Sequence, residues 1–275
     1  MGGTQVFTLY HHGSSVCAAK VRFAMAEKNL AWTGVYIDIL KGDQFTLEYM
    51  KLNPKAVVPT LVHDDKVIRE STVICEYLDL LHPETSLHPK DPLQFIEARY
   101  WTKAVDEDLH PACAALTFIA SHRHTIAKLG RDGQEKFLSS TPAQSVTPDW
   151  KDQKRLWVEM GFDAPGAAAK IQLYDLYLAK MEKSLAQSPW LVGDALSIAD
   201  VAMSPYVNRL AALSMSGMWE NGRLPNVERW FKQIRARPAF EPSFVAWMPE
   251  SLTADLRDNG AKSWPDVARI IGVED

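Results

Sequence analysis

Residues 53–81 decide the fold. They read Asn53-Pro54-Lys55-Ala56-Val57-Val58-Pro59-Thr60-Leu61-Val62-His63, then Asp64-Asp65-Lys66-Val67-Ile68-Arg69, then Glu70-Ser71-Thr72-Val73-Ile74-Cys75 and on to Leu81. Thr60–His63 and Lys66–Arg69 are short, β-rich runs separated by two aspartates, which predicts a hairpin. Ser71–Leu81 is apolar at helical spacing, with a serine placed to cap its first turn. Pro59 stands where the first hairpin strand begins. A proline there either opens an edge strand or forms a cis bond that turns the preceding backbone outward toward an extended ligand.

Upstream, Gln5–Tyr10 is a β-rich run that ends in His11-His12-Gly13-Ser14-Ser15. Val16–Asn29 has a helical period, Thr33–Leu40 alternates as a second strand, and Phe45–Lys51 predicts a short helix before Asn53-Pro54. The order β-α-β-(α)-β-β-α predicts a compact α/β domain over residues 1–82 with a right-handed crossover at its start. Downstream, residues 83–92 hold three prolines and few apolar residues, the composition of a linker. Beyond it no strand is expected. Helical periods at 93–129, 151–160, 165–187, 198–213 and 225–237 predict an all-helical domain over 93–240. A Ser/Thr/Pro-rich loop at 139–149 is long enough to serve as a lid. Residues 241–275 form a C-terminal extension with a last helix expected at 264–271.

Composition excludes several classes. The 275 residues are 47% hydrophobic and 23% charged, with a net charge of −4, which excludes a disordered or collagen-like chain and offers no basic surface for nucleic acid. No apolar run approaches the roughly 18 residues of a membrane span. The first residues lack the charged and apolar regions of an export signal. Cys17, Cys75 and Cys113 are an odd, widely spaced set without a CxxC pair, so a disulfide framework is not expected and a cytoplasmic setting is.

Chemistry concentrates at the corner Tyr10-His11-His12-Gly13-Ser14-Ser15-Val16-Cys17. A helix N-terminus there presents unpaired N–H groups and a positive dipole end. Ser14 or Ser15 caps that helix or donates to an anion held beside it, and Cys17 sits where the dipole and Lys20 or Arg22 lower a thiol pKa. Glu70-Ser71, at a second helix start, offers a carboxylate for an ammonium group and an N–H for a carboxylate. His122-x-His124 places two imidazoles on different sides of a helix, so no metal site is expected.

Ser15-x-Cys17…Lys20-x-Arg22, NPKAVVPTLV, ESTVICEYL and Leu196-Ser197-Ile198-Ala199-Asp200 together resemble the glutathione transferases over about residues 5–240. The resemblance implies an α/β thioredoxin-like N-terminal domain plus an all-α C-terminal helical domain, with glutathione as co-substrate and no metal. It implies that Val58, before a cis Pro59, pairs with the cysteinyl group. Glu70 and Ser71 would hold the γ-glutamyl end, and Gln44 and Lys55 the glycyl carboxylate. Ser15 matches the activating serine of theta-like and zeta-like classes. Cys17 matches the cysteine of beta-class enzymes and reductive dehalogenases, and Ser14 and Tyr10 lie close enough to leave the activator open. The electrophile, a hydrophobic and aromatic small molecule, is expected between the domains near His12, Trp101, Val105, Leu109 and Cys113. Ala98-Arg99-Tyr100-Trp101-Thr102-Lys103-Ala104-Val105-Asp106-Glu107 is similar to the bacterial glutathione-dependent β-etherases. Transfer to an electrophilic carbon, aryl ether cleavage or dehalogenation, and a non-catalytic glutathione-binding role are the readings this leaves. A homodimer without nucleic-acid or membrane partners is expected from the resemblance.

Overall fold

Strand β1 (Phe7–His11) is the centre of the first domain because its alternating side chains bury Phe7, Leu9 and His11. The computed structural model describes residues 6–143 and 145–273. Gln5, the expected first strand residue, lies outside them. Helix α1 (Val16–Glu27) crosses over to β2 (Thr33–Tyr36), which pairs parallel with β1. Asp38 ends the expected strand early, because its carboxylate accepts the Leu40 and Lys41 amides and turns the chain. Short helix α2 (Leu47–Leu52) leads to β3 (Thr60–His63) and β4 (Lys66–Arg69), and α3 (Ser71–Leu81) closes the unit. Strand order is β2-β1-β3-β4 with the last two pairings antiparallel, and Leu9 stands opposite Leu61. Leu9 and Leu61 pack in one core with Val21 and Phe23 of α1 and Ile74 and Leu78 of α3.

The linker is fastened through Asp79 at the end of α3. Its carboxylate takes Lys28 Nζ at 2.6 Å, the Leu87 amide at 2.7 Å and His88 Nδ1 at 2.6 Å. A long helical run follows: α4 (Pro92–Ala104), a π-helical turn at Val105–Leu109, α5 (His110–Thr117), a second π turn at Phe118–His122, and α6 (Arg123–Ala127). Pro111 has no amide hydrogen to give the preceding turn, and the extra residue before it accommodates the ring. Helix α7 (Gly130–Ser139) is absent from the sequence reading. Gly130 and Gly133 weaken its propensity, and only Phe137 and Leu138 are buried. Then come α8 (Trp150–Met160), α9 (Ala167–Leu185), α10 (Ile198–Ala212) and α11 (Pro225–Arg235). Asp200 anchors α10: Oδ2 accepts the Ser197 amide and hydroxyl, and Oδ1 accepts the Leu191 amide and the Trp230 indole.

The C-terminal extension departs from the expectation of a short last helix. Helix α12 runs Glu250–Ile271. Gly260 and Pro265 interrupt its sequence period, yet Gly260 is required by contact: a Cβ there would lie 2.1 Å from the Leu213 carbonyl oxygen. The extension seals α1 from behind, with Arg22 Nε donating to the Ser243 carbonyl at 2.8 Å and Phe244 packed on Phe23.

Candidate active site

The turn from β1 into α1 is held rigid from beneath. Buried Arg22 donates to the His12 carbonyl at 3.2 Å and the Gly13 carbonyl at 3.3 Å. Burial, with Arg22 beside it, pushes His11 down to about 3. Burial, against the opposing pull of Asp38, pushes His12 down to about 4. Both rings are therefore neutral at pH 7, and His12 Nδ1 accepts the Ser14 amide at 3.2 Å and lies 3.1 Å from the Ser14 hydroxyl. Ser15 caps α1, its oxygen accepting the Ala18 amide at 3.1 Å, which leaves the hydroxyl proton free to donate.

One turn further, Cys17 Sγ lies 3.4 Å from His110 Nδ1 and 3.8 Å from the Tyr206 hydroxyl. Burial pushes its thiol up, but the His110 charge and hydrogen bond, Lys20 and Ser71 bring it down to about 7. His110 is correspondingly raised, by the Cys17 partnership and against the burial that lowers it. Lys20 is fixed by Thr72 Oγ1 at 2.9 Å and Asp106 at 3.3 Å. The other cysteines behave oppositely: burial pushes Cys75 up to about 12 and raises Cys113.

Two cavities meet at this corner. A polar one of about 270 Å³ is lined by Cys17, Lys55, Val57, Val58, Pro59, Glu70, Ser71, Asp106 and His110. The Val58-Pro59 bond is cis. Glu70 holds the left-handed backbone at φ 65°, uncommon for a side-chain-bearing residue, and its carboxylate pairs with Lys55 at 2.7 Å. An apolar cavity of about 150 Å³ is lined by Ser14, Ser15, Val16, Gln44, Phe45, Cys113, Phe118, Trp150, Lys154 and Arg209 among others. Val57, Val58, His110, Ser145 and Val146 line both. The loop at 139–149 thus contributes to each, and Ser145 Oγ donates to the Lys55 carbonyl at 2.8 Å. Gln144 of that loop lies outside the described residues.

The structure brings Ser14, Ser15, Gln44, Val58 and Cys113 to the apolar cavity and Cys17, Lys55, Val58, Pro59, Glu70 and Ser71 to the polar one. Four expected electrophile contacts fall elsewhere. His12 is buried behind the corner, its ring against Tyr36, because Ser14 and Asp38 draw it inward. Val105 and Leu109 are fully buried in the core, since the π turn rotates them away from the cavity. Trp101 lines a separate shallow cleft with Tyr177. Tyr10 packs on Tyr49 in a small cluster with Ile37 and Val58, and lines neither cavity. Reading the sequence missed Lys154, Trp150, Arg209 and Tyr206. One signal was present: Trp150, Lys154, Trp157 and Val158 share a helical stripe in which a lysine replaces an apolar residue.

The family profile for the glutathione S-transferase N-terminal domain matches residues 14–81, and that for the C-terminal domain matches residues 150–238. The chain is similar to Protein LigF of Sphingobium sp. strain SYK-6, 30% identical over 249 residues, covering 89% of this chain and 95% of that protein. It is 27% identical over 250 residues to the tetrachloro-p-hydroquinone reductive dehalogenase of Sphingobium chlorophenolicum, covering 86% and 95%. The crystal structure of beta-etherase LigF superposes with a TM-score of 0.76 at 28% identity, covering 86% of this chain and 98% of that one. With its thiol corner, its cis-proline turn and its helical second domain, the chain belongs to the glutathione S-transferase family.

Proposed function

We propose that this enzyme binds glutathione in the polar cavity and directs its sulfur past Val58 onto an aromatic electrophile in the apolar cavity. The observation that carries this reading is the common wall: a polar and an apolar cavity share Val57, Val58 and His110. The residues suit a zwitterionic tripeptide. Val58 offers its backbone to the cysteinyl group, the α3 N-terminus at Ser71 offers N–H to a carboxylate, and Glu70, steadied by its ion pair with Lys55, takes the ammonium, while Gln44 lines the apolar cavity instead. The Ser15 hydroxyl donates to the thiolate, supported by the dipole of α1. The sulfur attacks carbon and an S–C bond forms. The bond from that carbon to oxygen breaks, its electron pair leaves as phenolate, and the proton released on thiol ionisation balances it. The likeness to a protein named as a beta-etherase supports an aryl ether over a halide.

A second reading rests on Cys17. A thiol at about 7, against His110 and facing the polar cavity, is poised to attack a glutathionyl disulfide, forming the Cys17–glutathione disulfide and releasing the other thiolate. Kinetics separate the two. Under the first, Ser15→Ala lowers kcat/KM for ether cleavage about 100-fold and abolishes the ultraviolet thiolate absorbance of bound glutathione, while Cys17→Ala retains both. The reverse pattern assigns the chemistry to Cys17.

A homodimer fits the exposed apolar face of α4 (Leu93, Phe95, Ile96, Tyr100), near which α3 exposes Val73 and Leu80. Sedimentation at two concentrations tests it. Three free cysteines suit a reducing cytoplasm, and no described helix is long and apolar enough to cross a membrane.

A further inference from the structure

The apolar cavity is lined by four basic side chains, Lys154, Arg209, His110 and His122, and, among the described residues, by no aspartate or glutamate. Lys154 is 4% exposed, and among the described residues no carboxylate pairs with it. Its Nζ donates to Thr141 Oγ1 and lies 4.7 Å from the centre of the Phe137 ring, 5.7 Å from Phe118 and 5.8 Å from Phe45. Three aromatic faces and one hydroxyl are a thin solvation shell for an ammonium group with three protons. Arg209 repeats the pattern: Nη2 donates to the Ser14 carbonyl and Nη1 has no partner, as is also true of His122 Nδ1. A buried cation without an anion is unfavourable, and so is a buried donor without an acceptor. An incoming oxyanion answers both.

We infer that the electrophile site takes an aromatic compound bearing an oxyanion, and that Lys154 is the residue that holds that oxygen. The inference rests on the electrophile occupying this cavity, as proposed above. The aromatic lining from Phe45, Phe118, Phe137 and Trp150 selects a ring, and Lys154 stands among those same rings. Burial alone pulls the Lys154 ammonium down to about 7, so an anion entering the cavity restores the proton rather than meeting a permanent charge. The oxyanion has two sources with one chemistry: a carboxylate the compound already carries, or the phenolate that develops as an ether breaks.

Two measurements test this. In the first, benzoate and its neutral isostere benzamide are titrated into the unmodified enzyme without glutathione, read by tryptophan fluorescence. Benzoate is expected to bind about 30-fold more tightly below the lysine transition, to lose that advantage above it, and to lose it in Lys154→Met. In the second, glutathione-dependent cleavage of aryl ethers with leaving phenols of graded acidity is compared in wild type and Lys154→Met. A steeper dependence on phenol acidity in the variant assigns the oxyanion to the leaving group. Equal binding of benzoate and benzamide, together with an unchanged dependence on phenol acidity, overturns the inference. Selective benzoate binding without ether cleavage sinks the proposed reaction and leaves the role of Lys154 standing.

Discussion

The polar and apolar cavities share a wall, yet each produces its electrostatics in the opposite way. Cys17 and Lys154 are both shifted to about 7. Cys17 arrives there because partners stabilise its anion: His110 at 3.4 Å, Lys20 and Ser71 overcome burial. Lys154 arrives there because nothing stabilises its cation beyond Thr141 and three rings. The polar cavity is finished by its own side chains, and the apolar cavity leaves a charge for its ligand to complete. Their origins differ as well. Most of the polar wall comes from residues 55–73 and α1, whereas the apolar wall is collected from α1, α5, the second π turn, α7, α8, α10 and the loops between elements.

The harshest test of that contrast asks whether the cavities can be separated at all. Core residues of both domains pack as one cluster, and α10 brings Tyr206 to Cys17 and Arg209 to the apolar cavity. Asp200→Ala strands the buried Trp230 indole and the Leu191 and Ser197 amides, a loss of about 4 kcal/mol expected in a single urea transition. A sheet signal that outlasts the helical one would show that the first domain stands alone.

Next in size is the lysine itself. Unfolded, Lys154 keeps its proton to about 10.5, but folded it releases it at about 7. Between these values the unfolded state binds more protons, so this group makes stability rise with pH. Lys154→Met is expected to remove about 2 kcal/mol of that rise between about pH 7.5 and pH 9, read from urea midpoints of both proteins at those two pH values. An identical pH slope in the variant would show the lysine to be solvated.

His110→Ala takes away the largest stabiliser of the Cys17 anion. Alkylation of Cys17 by iodoacetamide at neutral pH is expected to slow about tenfold, with Cys75 and Cys113 unreactive throughout. Unchanged labelling would transfer the role to Lys20. The smallest effect belongs to the exposed Lys55–Glu70 pair. Glu70→Gln should leave stability within about 0.5 kcal/mol while raising the glutathione KM about fivefold. A large stability loss would mean that the left-handed turn at Glu70 depends on its charge.

The particular elements that sequence revealed share a trait. Thr60–His63, Lys66–Arg69 and Ser71–Leu81 have the bounds read from sequence, because hairpins and amphipathic helices are written in neighbouring residues, but Glu70 rather than Ser71 holds the cap position of α3, without a side-chain cap. Helix α7 and the length of α12 were illegible because glycines and a proline break their period while tertiary contact sustains them. At the site, Ser15, Val58, Glu70 and Ser71 could be found from local turns. Val105 and Leu109 were misplaced because the π turn at Val105–Leu109 shifts which face of the helix looks inward, a shift whose one local mark is Pro111, while Trp101 faces a separate cleft.

By itself, then, the sequence determined the two-domain class and the local turns that carry Val58, Glu70 and Ser71 to the polar cavity, set by interactions within a few residues. Tertiary structure decided the rest. It set Cys17 against His110 across 93 residues, and it enclosed Lys154 between Phe45, Phe118 and Phe137. Against burial, the Cys17 shift comes chiefly from distant His110, and the Lys154 shift comes from burial alone, and both exist only once the helices have packed.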